Sequence, residues 1–357
     1  MFKILDLYIG RTIIATTSLC LATLVGLSAI IKFVEQLRSV GEGSFTMMTA
    51  VQYVLLSMPR DIEMFFPMAV LLGALIGLGT LASSSELVVM QAAGFSKLDI
   101  GLSVLKTAMP LMLVVLALGQ WGAPDAQKAA RELRAFAKSG GNVMSVRRGV
   151  WAKDGSDFIY IARTDQQESL VGVNIWKFDD TQTLKAQVFA EQARYLDKDS
   201  WMLENVTVTH FDGPVKINET TEKQLAWKTT LTPEKLSIVT VKPEELSLSG
   251  VYSYVDYLKA SEQDASRYEL ALWRKVLQPL SIGVMMLLAL SFVFGPLRSV
   301  TMGARVLSGV IFGFAFYISN EVFGPMTLVY NLPPFVGAIA PSLAFIGVTL
   351  YLLNRKL

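Results

Sequence analysis

The chain has 357 residues, 52% of them hydrophobic and only 17% charged, a low charge content for a water-soluble protein of this length. The net charge of +2 identifies no partner by itself, and no nucleic-acid partner is expected. The single cysteine, Cys20, excludes an intramolecular disulfide. The single histidine, His210, excludes multi-histidine metal sites and argues against Ser-His or Cys-His catalysis, so no metal, no cofactor and no catalytic residue is expected.

In chain order, Thr12–Ile31 is the first uncharged run, and its roughly twenty residues suffice to cross a ~30 Å hydrocarbon core. It is too long for a signal-peptide core and no A-x-A-like site follows it, so it reads as an uncleaved span. The next run, Met64–Ser85, reads as the end of a helix that begins near Met48 and projects beyond the bilayer, with Pro59 and Pro67 expected to bend it. Then comes "SSSELVVMQAAGFS", Ser83 to Ser96. Ser83-x-x-Glu86 fits a capping box and Gly94 the position just past a short helix of about two to three turns. Leu87, Met90 and Gln91 would share a face, with Glu86 and the small Ala93 nearby. By spacing alone this is either a turn helix lying on the membrane or a docking helix for a partner, with Ser85 and Glu86 at its start. Leu98–Pro124 is a third span, interrupted only by Asp99 and Lys106, and Lys106 is read as snorkelling to the interface.

From about 124 to 265 the character changes. "DFIYIAR", "LVGVNIWKF", "QVFAEQARYL", "WMLENVTVTHF" and "KQLAWKTTL" alternate apolar and polar residues, with turn chemistry such as "KDGSD" and "FDGP" between them. This indicates an antiparallel β-domain, a sandwich or jelly roll, with His210 a structural residue in one strand. Val276–Leu297, Val306–Asn320 and Leu332–Asn354 then supply three more uncharged runs. The fold class is therefore a polytopic α-helical membrane protein of six spans, three before and three after an inserted β-domain. The divisions are 1–123, 124–265 and 266–357, with the short helix at about 84–94. The two halves share no convincing repeat, which gives an inverted-repeat carrier no support.

Short-loop basic residues set the orientation. Lys3, Arg11, Lys97, Arg298, Arg305, Arg355 and Lys356 place both termini and the short helix in the cytoplasm, and the β-domain outside. Lys32, Arg38 and Arg60 are exceptions at the outer ends of the first two spans, and Arg131 and Arg134 lie three apart just past the third. Together they would suit an amphiphile with anionic head groups. The alternative is that they snorkel or pair with Glu35, Asp61, Glu63 and Glu132. Phe65, Phe66, Phe312, Phe314 and Phe316 are candidates to line an acyl-chain cavity, though aromatics in spans commonly just pack. Glu321 reads as a capping or helix-pairing residue. No phosphate-binding loop, nucleophile elbow or H-E-x-x-H motif is present, so energised work would need a partner.

The stretches "IIKFVEQLRS", "FFPMAVLLGALIGLGTLASSSELVVMQAAGFS", "VWAKDGSDFIYI", "LTPEKLSIV", "QPLSIGVMMLLALSFVFGPLRSV" and "IFGFAFYISNEVFGPMTLVYNLPP" resemble the lipopolysaccharide export permeases, the LptF/LptG family, over essentially the whole length. Of its two branches the LptG type is the nearer and the LptF type the alternative. The resemblance implies a non-enzymatic permease subunit in the bacterial inner membrane, with termini cytoplasmic and a periplasmic β-jellyroll. It would pair with an LptF-like paralogue, be driven by an LptB-like ATPase dimer that binds the ATP, and deliver lipopolysaccharide to an LptC-like single-span jellyroll protein. It also implies that the helix between the second and third spans couples to the ATPase through Ser85, Glu86, Leu87, Met90, Gln91 and Gly94. Lys32, Arg38, Arg131 and Arg134 match its phosphate contacts, with Arg60, Phe65, Phe66 and Phe316 as further candidates towards the substrate. The rival readings are a secondary transporter, which would need midplane carboxylates, and a non-transporting envelope scaffold.

Overall fold

A computed structural model describes residues 4–138, 149–164, 169–179, 181–197, 200–211, 217–233, 236, 242–294 and 300–354. Lys3, Arg298, Arg355 and Lys356 lie outside the described residues, as does the end of the fourth uncharged run at 295–297.

Helix α1 is Ile4–Leu37 and α2 is Met47–Ser83. The short α3 spans Glu86–Ala92. Helix α4, Lys97–Ala117, continues through a π-helical turn at Leu118–Gly122 into α5, Ala123–Lys138. After the strands come α6 (Leu248–Ala260), α7 (Ser266–Phe294), α8 (Met302–Val329) and α9 (Pro334–Asn354). Six of these helical runs are long and apolar enough to cross a membrane. α2 begins where the sequence places it and remains one helix through Pro59 and Pro67. The first and fifth spans run well past the uncharged stretches, because their flanking charges find partners inside the bundle. Asp6 accepts from Lys106 Nζ at 2.7 Å and from the Ser103 hydroxyl. Arg305, 3% exposed, donates to the Gly79 carbonyl at 2.6 Å. Lys106, with 28% of its side chain exposed, thus pairs with a buried carboxylate of α1.

The core of the bundle is α2 and α7, whose apolar windows are 67% and 61% buried, against 22% for α1 and 17% for α8. α1 lies tightly on α2. Gly73 leaves room for the Thr17 backbone and Gly77 for the Thr16 hydroxyl and the Ile13 backbone, and the Thr16 hydroxyl donates to the Gly73 carbonyl at 2.7 Å. Small residues of this kind let helices approach where lipid removes the hydrophobic drive to associate.

The inserted domain carries a six-stranded antiparallel sheet: β1 Val150–Asp154, β2 Asp157–Thr164, β3 Ser169–Phe178, β4 Leu184–Asp197, β5 Ser200–Phe211 and β6 Ile217–Lys228. Each described strand pairs with its neighbours in sequence, so this sheet is a meander. Ile159, Ile175, Val188 and Val208 meet across four strands on its buried face. At the row Gly172, Glu191 and Asn205 the ladder skips a pair, with Gly172 (φ +67°) and Asn205 (φ +53°) in left-handed backbone. The inward side therefore switches from Val173, Ala190 and Val206 to Leu170, Ala193 and Leu203 without a change of register. Such a crease bends the sheet as aligned bulges would. Val251, Val255 and Leu258 of α6 close the core, and Trp201, fully buried, donates its indole N–H to the Leu231 carbonyl at 2.8 Å.

Two joints fix this domain to the bundle. Gln120, in the π-helical turn, accepts from the Leu248 backbone N–H at 3.0 Å and donates to the Ser249 hydroxyl at 2.9 Å, so the third span caps α6. At the far end of α5 the Ala137 carbonyl accepts from the Ser44 N–H at 2.7 Å, and Lys138 pairs with Glu42 at 2.8 Å.

Candidate substrate and coupling sites

The basic residues singled out in the sequence cluster at the β-domain end of the bundle, and most are held by carboxylates. Lys32 Nζ lies 2.5 Å from Asp61, which also accepts from the Ser28 hydroxyl at 3.1 Å. Arg60 pairs with Glu63 at 2.7 Å, one helical turn on. Arg131 lies 3.0 Å from Glu245 of the 3-10 turn Pro243–Glu245 rather than pairing with Glu132. Arg134 stacks its guanidinium 5.5 Å above the Tyr53 ring, and its buried Nε has no hydrogen-bond partner among the described residues. Arg38, just past the end of α1, is exposed and makes no ion pair among the described residues. Lys32 and Arg60 thus pair as the alternative sequence reading required, while Arg38 and Arg134 make no ion pair among the described residues.

Glu63 organises a second layer. Besides Arg60 it accepts from Lys275 Nζ at 2.9 Å, and it lies against Gly119 of the π-helical turn, where a Cβ would sit 3.0 Å from its Oε1. A cavity of about 430 Å³ opens beside it between α2, α7 and α8. Its charged end is formed by Arg60, Arg274, Lys275, Glu244 and Glu321, and its apolar end by Phe65, Met68, Leu277 and Phe316. An amphiphile with a charged head fits that division better than a polar solute does. Arg274 and Lys275 escaped the sequence reading, although "WRKVLQP" places two adjacent cations at the head of an apolar run. Glu321 faces this cavity. Phe65 and Phe316 line it, whereas Phe66, about 100° further around α2, is 4% exposed and packs in the bundle core.

At the opposite end, α3 is stopped as expected and started differently. Gly94 (φ +96°) donates to the Gln91 carbonyl at 3.0 Å and Phe95 to that of Met90 at 3.1 Å, the paired bonds of a Schellman motif. The Ser83–Glu86 capping box does not form. Ser83 is the last residue of α2, Ser85 takes left-handed backbone (φ 61°), and no side chain caps α3. Glu86 instead accepts from the Ser84 hydroxyl at 2.8 Å and from the Tyr8 hydroxyl of α1 at 2.7 Å. The Tyr8 bond, then the Ser84 bond, hold its carboxyl below the usual carboxylate range. Leu87 and Met90 share a face, but that face turns inward and is 3% and 9% exposed. The outward face carries Val88 (51% exposed), Val89 (66%) and Ala92, with Leu98 nearby at the start of α4. Ser85 and Gly94 are exposed and Gln91 half-buried.

Six helical runs long and apolar enough to cross a membrane, with a six-stranded sheet inserted between them and a cavity lined by both charged and apolar side chains, define a multi-pass membrane protein. The model of the family described as "Lipopolysaccharide export system permease LptF/LptG" matches residues 7–355, and the chain belongs to that family. It is 50% identical over 356 residues to the lipopolysaccharide export system permease protein LptG of Escherichia coli strain K12, covering 99% of each chain. It is 49% identical over 359 residues to the Haemophilus influenzae LptG, covering 100% of this chain and 99% of that one. The Escherichia coli LptF matches at 26% over 136 residues, 38% of this chain.

Proposed function

We propose that the chain is the LptG-type permease subunit of an exporter that extracts lipopolysaccharide from the outer leaflet of the bacterial inner membrane and passes it to a periplasmic β-domain bridge. The observation that carries this reading is the 50% identity to an LptG along 99% of both chains, against a partial match to LptF. The chain would pair with an LptF-like paralogue across the weakly buried faces of α1 and α8, be driven by an LptB-like ATPase dimer, and hand substrate to an LptC-like jellyroll protein. The termini and α3 would face the cytoplasm and the β-domain the periplasm.

In this account the outward face of α3 docks in the ATPase, with Val88, Val89 and Ala92 as its apolar contacts and Glu86 beside them. Its C-terminal Schellman turn leads directly into α4, so motion imposed on α3 enters the third span. Acyl chains leave lipid at ~0.8 kcal/mol per CH₂, a cost that requires ATP. Phosphates meet Lys32, Arg38, Arg131 and Arg134 at the periplasmic end. A photo-crosslinker at Glu35, one helical turn from both Lys32 and Arg38, should capture lipopolysaccharide in the assembled complex. Absence of capture in a complex that hydrolyses ATP would overturn the site.

A further inference from the structure

Two carboxylates two residues apart on α2, Asp61 and Glu63, hold cations in different ways. Glu63, with 5% of its side chain exposed, is gripped by Arg60 and by Lys275, itself only 11% exposed. That arrangement staples α2 to α7. Asp61, 4% exposed, faces α1 and holds Lys32, which keeps 30% of its side chain exposed. Lys32 can turn outward; Asp61 cannot follow it. Its other bond is to the Ser28 hydroxyl. An asparagine there could accept from Lys32 through its single oxygen and donate its amide N–H to the Ser28 oxygen, so hydrogen bonding alone gives no reason for a charge, and a buried ion pair is weak evidence of a stabilising role.

We propose that Asp61 is the specificity-determining counterion of the cation cluster. It makes Lys32 available to a lipid that presents more than one phosphate and withholds it from the single-phosphate lipids around the spans. This inference rests on the reading of that cluster as a phosphate site.

A single phosphate arriving at Lys32 meets a carboxylate already on the same ammonium. Sharing the ammonium sets two anions side by side. Displacing Asp61 strands a buried charge on one hydroxyl. A head group with one phosphate gains one contact and forfeits another, so it has no net advantage. A second phosphate on the same molecule changes the balance, because its contact becomes intramolecular once the first has formed. Arg38 lies six residues beyond Lys32, about 9 Å along the helix direction, and makes no ion pair among the described residues. Arg134 offers a buried Nε without a hydrogen-bond partner among them. Asp61 is thus a repulsive element that discriminates by charge count, the usual route to specificity when an abundant competitor shares the main contact.

The test uses the full complex in nanodiscs, with a crosslinker at Glu35 and lipopolysaccharide capture competed by phosphatidylglycerol. Asp61→Asn should let phosphatidylglycerol compete at a roughly tenfold lower concentration, the scale expected when a like charge is removed from the site. Ser28→Ala leaves Asp61 more dependent on Lys32 and should shift competition the other way, which keeps the idea testable if Asp61→Asn fails to assemble. Unchanged competition in either variant, with lipopolysaccharide still captured, would overturn the inference alone, as would capture and yield falling together without a change in the ratio. Loss of lipopolysaccharide capture in the unmodified complex would overturn the phosphate-site reading and the inference with it.

Discussion

Gly73→Ala tests the close packing of α1 on α2. A Cβ on Gly73 would lie inside van der Waals contact with the Thr17 side chain, its Cα and its backbone nitrogen, the last at 2.5 Å. Backbone atoms cannot rotate away, so α1 and α2 must part by on the order of 1 Å to restore ordinary contact. Overpacking of this kind costs about 1–3 kcal/mol, and weakening the Thr16 hydroxyl bond to the Gly73 carbonyl adds about 0.6 kcal/mol in a membrane setting. The gain in helix propensity returns about 1 kcal/mol. The balance is a loss of about 2 kcal/mol, or roughly 3 °C in unfolding midpoint for a chain of 357 residues by the per-residue scaling of soluble domains. Gly26→Ala is the control: nothing lies within 4 Å of its would-be Cβ, so the same substitution should stabilise or leave the midpoint unchanged. Thermal unfolding of the purified complex in detergent measures both. A Gly73→Ala midpoint within a degree of the parent, or equal losses in the two variants, would refute the close-packing argument.

Glu63→Gln leaves Arg60 and Lys275 without their shared carboxylate and should cost about 3–5 kcal/mol, as when one partner of a buried pair is removed. Glu63→Leu with Lys275→Met should cost less than the single change, and the same unfolding assay would expose the opposite order. Tyr8→Phe should raise the Glu86 pKa towards the usual carboxylate value, since the Tyr8 hydroxyl is the largest cause of its depression. A lowered folded-state pKa means the tie is intact above the ordinary carboxylate range and is lost as pH falls through the depressed value. Carbon-13 titration of the labelled Glu86 carboxyl reads the shift, and an identical curve in the variant would remove Tyr8 from the account.

The centres of the spans were legible because crossing the hydrocarbon core demands a long uncharged run, and the strands because a half-buried strand alternates apolar and polar residues. The span ends were not. Asp6, Lys106 and Arg305 look like boundary markers when each charge is taken alone, yet partners from other helices bring them inside. The same limit governs α3: spacing placed Leu87 and Met90 on one face, but whether that face turns inward depends on what the spans leave uncovered. Local pattern also suggested the Ser83–Glu86 box, and a long-range hydroxyl from Tyr8 occupies Glu86 instead. Gly94 succeeded because positive φ at a helix end is a backbone requirement independent of tertiary context. In the basic cluster the sequence supplied the cations and their possible counterions, and only the structure divides them into the closed Glu63 network and the half-open Lys32–Asp61 pair. Arg274 and Lys275 were overlooked because two cations at a span's head also fit an interfacial anchor.

The proposed function requires that a partner's ATP hydrolysis supply the motion of this permease subunit. Proteoliposomes containing the chain, its paralogue, the ATPase and the single-span β-domain protein should transfer lipopolysaccharide to a soluble β-domain acceptor only when ATP is present. Transfer at the same rate without ATP, or steady ATP hydrolysis by an intact complex with no lipopolysaccharide on the acceptor, would contradict it.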